Sequence, residues 1–190
     1  VMLGYDQIKA GGADMIIAGG MESMSNAPYL SAKARMGSRI GHQNLVDHMF
    51  LDGLEDAYDK GKLMGSFAED CAQYYQFSRD AQDSYALQSL HRAQDAQESG
   101  KLVAEISSIL VATRKGSQQV CKDEQPLLAK PENIPHLKPA FREGGTVTAA
   151  NSSSISDGAA AVSLASRAAV TAHNLDVQAQ ICGHAGFAHA

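Results

Sequence analysis

The stretch "GGADMIIAGG", Gly11 to Gly20, constrains the fold more than any other part of the chain. Met15-Ile16-Ile17-Ala18 is a short apolar run closed by a pair of glycines on each side. Four apolar residues are too few for a helix of their own and suit a strand covered on both faces. The segment before it, Val1 to Lys9, has a helical pattern, and Gly11-Gly12 supply its stop. A helix, a tight turn and a buried strand form the building unit of layered α/β proteins. An α/β fold is therefore the expectation.

The remaining chain supplies further elements. Met64, Phe67, Ala68, Cys71 and Tyr75 recur at helical spacing and predict a helix over 64–76, with Cys71 on its apolar face as inert core. Ser78 is a good N-cap for a second helix, and Asp80 sits where the helix dipole favours an acid. Ala86, Leu87, Leu90 and Ala93 give that helix its apolar stripe, and Gly100 ends it. "EISSILVAT", Glu105 to Thr113, reads as a strand. The polar, proline-punctuated segment 116–139 reads as irregular. Thr146 to Thr148 opens an extended piece, and 159–165 fits either a strand or a helix. Ser166 can cap a short helix running to His173, and Gln178 to Cys182 reads as a last strand.

Charge and cysteine usage narrow the function class. Sixteen basic against 21 acidic residues give a net charge of -5, which disfavours nucleic acid as a bulk partner. No apolar run approaches the roughly 20 residues of a membrane helix, and no signal peptide opens the chain. Cys71, Cys121 and Cys182 are odd in number and far apart, as expected of reduced thiols in the cytoplasm. The chain opens on Val1 in what reads as a helix already under way, so it is expected to come from something longer.

Several clusters invite a functional reading. Ala18 to Leu30, "AGGMESMSNAPYL", lacks any phosphate-binding glycine pattern and reads as a strand ending in a turn. Residues 23–46 hold no acid but carry Lys33, Arg35, Arg39 and His42. That loop is either a solvated surface or a contact for an anionic ligand or a second copy. "CGHAGFAH" brings Cys182, His184 and His189 close in sequence, but a metal centre needs a fourth ligand and a scaffold, so no metal is expected. Cys121 stands beside Lys122 with nothing else to recommend it. "AANSSSISDGAAA", Ala149 to Ala161, is the strongest candidate. Its hydroxyls, amide and backbone N–H groups suit a ligand loop, and the alanines behind it suit close packing rather than a linker.

Four stretches then converge. "AGGMESMSNAPYL", "DGLEDAYDKGKLMGSFAED", "SRDAQDSYALQSLHRAQ" and "GTVTAANSSSISDGAAA" resemble, in that order, the middle of the thiolase family, the acetoacetyl-CoA and 3-ketoacyl-CoA type. The likeness runs from Leu3 to about Ser166. It implies a thiolase-like layered α/β/α fold, incomplete here. Residues 1–28 would belong to the N-terminal half and 29–145 to the loop domain over the CoA site. Residues 146–175 would close the N-terminal half, and 176–190 would begin the C-terminal half. The basic stretch 29–50 would match the family's oligomerisation loop, so a homo-oligomer, dimer or tetramer, is implied.

The resemblance also implies chemistry: acyl transfer between 3-ketoacyl-CoA or acetyl-CoA and CoA through a cysteine thioester, with no permanently bound cofactor. None of the family's catalytic cysteines or its catalytic histidine matches a position of this sequence, so no catalytic residue is assigned and the chain by itself is expected to be inactive. CoA contacts do carry over. Ser153 matches the serine that binds the pantetheine arm, Ala149 and Ile155 match its neighbours in the tunnel, and Met64 matches a position at the tunnel mouth. Leu63 stands where many members have histidine, Leu127 where many have arginine, Ser154 where glycine is usual and Ser156 where asparagine is usual. These departures bear on substrate preference. The alternative from another class is a non-catalytic thiolase-like module that binds CoA or a partner chain.

Overall fold

A computed structural model describes residues 1–187. The chain divides into two compact units, one made of Val1–Ala27 together with the chain from Ile155 onward, the other of Pro28–Ser154.

In the first unit, helix α1 (Met2–Lys9) leads through the Gly11 turn into strand β1 (Met15–Ser23). β1 pairs antiparallel with β6 (Asp157–Ala165) from Met15↔Ala165 to Ser23↔Asp157. The 159–165 segment is thus strand, because a strand of small residues can sit flat against β1. Gly4 lets α1 lie directly on this ribbon: a Cβ there would come within 2.8 Å of Leu164 and 3.3 Å of Ile16. Gly19 does the same across the ribbon, where a Cβ would meet the Ala161 Cα at 3.0 Å.

The strand expected to be covered on both faces is covered on one. Ile16 and Ala18 are half-buried on the α1 side, whereas Met15, Ile17 and Met21 are exposed, Ile17 at 79%. A single layer over a two-stranded ribbon can bury only alternate residues. Helix α5 (Arg167–His173) follows β6, capped as expected by Ser166, whose Oγ accepts the Ala169 N–H at 3.1 Å. Gln178 to Cys182 forms no strand, because no described segment lies alongside to pair with it. That tail instead meets α1 through His184, whose Nε2 is 2.8 Å from Asp6 Oδ1 and whose ring sits edge-on to Tyr5. His189 lies outside the described residues.

In the second unit, two-residue strands β2 (Tyr29–Leu30) and β3 (Val46–Asp47) pair at the base of the basic loop. Helix α2 (Met64–Tyr74) falls within the predicted range, and α3 (Arg79–Glu98) is capped by Ser78, which accepts the Ala81 N–H at 3.2 Å. Ala86, Leu87, Leu90 and Ala93 are half-buried along α3 as their spacing predicts.

Three expectations change here. The strand read from Glu105 begins only at Ile109: β4 (Ile109–Thr113) forms a hairpin with β5 (Gly116–Val120). Segment 116–139 is not irregular, since it holds β5, a short helix α4 (Gln125–Leu128) and a 3-10 turn over Pro131–His136. Gly116 at φ +118° closes the hairpin, and the prolines punctuate short turns rather than abolish order. Cys71 is exposed rather than core, because α2 turns Glu69 and Ala72 inward. No helix among the described residues is long and apolar enough to cross a membrane.

Candidate binding cleft

The 145–153 segment has little regular structure, so side chains must satisfy its backbone. Glu69 of α2, only 3% exposed, does most of this. Its carboxylate accepts the backbone N–H of Thr146 at 2.9 and 3.0 Å and of Val147 at 2.8 Å. It also accepts the Thr146 hydroxyl at 3.3 Å, while that hydroxyl accepts Gln82 Nε2 at 2.9 Å. A buried carboxylate receiving several N–H donors is compensated for its lost hydration. Gly145 makes room for it: a Cβ there would lie 2.7 Å from the Glu69 carboxyl carbon.

A second buried acid fixes the far end of the segment. Asp83 of α3, 5% exposed, takes the Arg79 Nε at 2.7 Å and the Asn151 Nδ2 at 3.1 Å. Arg79 continues to the Ile134 carbonyl at 2.9 Å. Asn151 also donates to the Thr146 carbonyl at 3.0 Å and accepts the Thr148 N–H at 2.7 Å. Thr148, fully buried, accepts the N–H groups of Ala150 and Asn151 on its hydroxyl. Residues 146–151 are therefore tied to both α2 and α3.

Past this anchor, Ala150 to Ser153 form one wall of a cleft of about 660 Å³. The other wall comes from Phe77 and from Gln82, Tyr85, Ala86 and Ser89 of α3. No Asp, Glu, Lys, Arg or His lines it; the wall offers hydroxyls, amides and aromatic faces. The Ser152 Oγ is buried and has no hydrogen-bond partner. A cleft of this size and make-up suits a neutral chain carrying amides rather than a phosphate.

Of the predicted contact residues, Ser153 lines this cleft. Ala149 is exposed just before it and is not part of the lining. Met64 opens α2, exposed and away from the lining, and Ile155 is exposed in the other unit. Glu69, Asp83 and the structural use of Asn151 went unread in the sequence. The available signal was Gly144-Gly145 ahead of Thr146, a mark of close backbone approach.

Elsewhere in this unit, Asp70 pairs with Arg142 and, at 3.3 Å, with Lys62. The Arg142 guanidinium first and Lys62 second hold the Asp70 carboxyl below its ordinary value. Asp56 is lowered by the backbone N–H groups of Asp59 and Tyr58. In the first unit the Ser25 backbone N–H, 2.9 Å away, lowers Asp157. Among the described residues no group of His, Cys, Asp and Glu is placed to hold a metal ion.

The family model for the thiolase N-terminal domain matches residues 1–168. The chain belongs to the thiolase family. Among curated thiolase relatives it is 43% identical over 192 residues to the acetyl-CoA acetyltransferase of Saccharomyces cerevisiae, covering 100% of this chain and 48% of that protein. It is 47% identical over 188 residues to acetyl-CoA acetyltransferase 2 of Arabidopsis thaliana, covering 97% and 46%. The chain thus spans about half the length of the curated thiolases it matches. Among solved structures, the Syntrophomonas wolfei acetyl-CoA acetyltransferase superposes with TM-score 0.80 at 38% identity, over 90% of this chain and 43% of that one. Human mitochondrial 3-ketoacyl-CoA thiolase gives TM-score 0.78 at 36% identity, over 90% and 44%. The α/β architecture described above is accordingly part of the thiolase fold.

Proposed function

We propose that this chain supplies the CoA-binding and oligomer-forming part of a thiolase, which moves an acyl group between acyl-CoA or 3-ketoacyl-CoA and CoA through a cysteine thioester. The observation that carries this reading is the cleft wall Ala150–Ser153, held rigid from behind and facing a neutral, aromatic wall on α3. Ser153 binds the pantetheine arm there; Ala149, Ile155 and Met64, which lie outside the lining of this cleft, are proposed as CoA contacts on the family resemblance alone. Residues 29–145 cover the CoA site, with the basic stretch 29–50 meeting other copies of the chain; 1–28 and 146–175 belong to the N-terminal half and 176–190 begins the C-terminal half. The thiols are kept reduced in the cytoplasm, which agrees with three exposed, unbridged cysteines.

In this reading CoA is substrate, not a resident cofactor. The role of the chain is to orient it, since a fixed geometry lowers the entropic part of the barrier to acyl transfer. The nucleophile is not among Cys71, Cys121 and Cys182, so the 190-residue chain alone is expected to show no thiolysis of acetoacetyl-CoA. Turnover by the purified chain that disappears on mutating one of these three cysteines contradicts the assignment. Calorimetric titration with CoA tests the binding role: Ser153→Ala is expected to weaken binding about tenfold, as for one lost hydrogen bond. Equal affinity of Ser153→Ala and the unmutated chain removes Ser153 from the contact.

A further inference from the structure

By residue type, Asn151 belongs with the serines that follow it, as one more polar group offered to a ligand. Its side chain is committed elsewhere. Both Nδ2 protons are donated, to Asp83 Oδ1 and the Thr146 carbonyl, and Oδ1 accepts the Thr148 N–H. The acid it reaches is itself held by Arg79, which is tied in turn to the Ile134 carbonyl. We propose that Asn151 is a positioning residue: through the Arg79–Asp83 pair on α3, it sets the backbone from which Ser152 and Ser153 face the cleft. This rests on the reading of that cleft as the pantetheine site given above.

The geometry argues for positioning over simple cohesion. Glu69 already secures the start of the segment, at Thr146 and Val147. Asp83 is the one side chain on α3 whose bond to Asn151 fixes the segment at the residue next to Ser152. The same helix carries Gln82, Tyr85, Ala86 and Ser89, the opposite wall of the cleft. With the Gln82–Thr146 bond holding the start of the segment to the same helix, the Asp83–Asn151 bond therefore sets the spacing between the two walls at the Ser152 end. Asp83 is 5% exposed, so water does not replace a lost partner there.

The test uses the whole 190-residue chain. Calorimetry with pantetheine and, separately, with adenosine 3′,5′-bisphosphate measures affinity, and amide NMR shifts report the backbone at Ser152 and Ser153. Asn151→Ala is expected to weaken pantetheine about tenfold, leave the bisphosphate unchanged and move both amide shifts. Asp83→Asn turns an amide toward Arg79 and Asn151 and is expected to act the same way. If Asn151→Ala does not fold, Asp83→Asn carries the test. The proposal is overturned if either variant, once folded, keeps wild-type pantetheine affinity. Should the unmutated chain itself fail to bind pantetheine, the reading of the cleft fails, and the Ser152 and Ser153 shifts in Asp83→Asn, a substitution distant in sequence, decide positioning alone: unchanged shifts there overturn it.

Discussion

Single residues carry the second unit's internal order, and two of them are acids in unusual places. Glu69 faces three donors on Thr146 and Val147, so Glu69→Gln turns an amide N–H₂ toward N–H groups that need an acceptor. Urea unfolding should show a loss of about 2–3 kcal/mol, in the range for a broken charged hydrogen-bond set in a buried site. Gly145→Ala should be comparably damaging, because the new methyl falls on the Glu69 carboxyl group and the neighbouring backbone leaves little room to shift. Solvent-facing acids set the pH response. Asp56, Asp70 and Asp157 all have carboxyls lowered from 3.8 in the folded chain. A lowered folded value means these groups favour the fold above the unfolded value and lose that contribution as pH falls through the folded one. Thermal melting should therefore hold steady from neutral pH down to about 5 and decline below about 4. Asp70→Asn should flatten part of that decline, and an unchanged acid limb in Asp70→Asn contradicts the pairing with Arg142 and Lys62.

At the scale of elements, the helices were legible and the strands were less so. Local chemistry specifies a helix: Ser78 and Ser166 cap α3 and α5, and Gly11 and Gly100, at φ +75° and +72°, follow α1 and α3. Replacing Ser78 by alanine should lower stability by about 1 kcal/mol and show as faster amide exchange in the first turn of α3. Strands depend on partners far along the chain. β6 was ambiguous until paired with β1, and β5 was hidden because Gln118 and Gln119 look like loop residues. Gln178 to Cys182 had the pattern but no described neighbour. Helix faces misled in one place: the spacing around Cys71 favoured an apolar face, but the unsatisfied N–H groups of 146–147 drew Glu69 inward instead. The ligand loop itself was visible in its composition. Its anchoring was not, since the partners of Asn151 lie as many as 68 residues away.

At the scale of the molecule, the chain is a stretch of the thiolase fold in two compact units, with the neutral cleft wholly inside one of them. That confinement makes the cleft a property of Pro28–Ser154 and gives the account its most direct test. Titrating the isotopically labelled 190-residue chain with CoA and following backbone amides maps the contact surface. The account predicts the largest shifts at Ala150 to Ser153 and along Gln82 to Ser89, with little change in the β4–β5 hairpin. Shifts that leave 150–153 untouched and gather on the basic loop 29–50 contradict it.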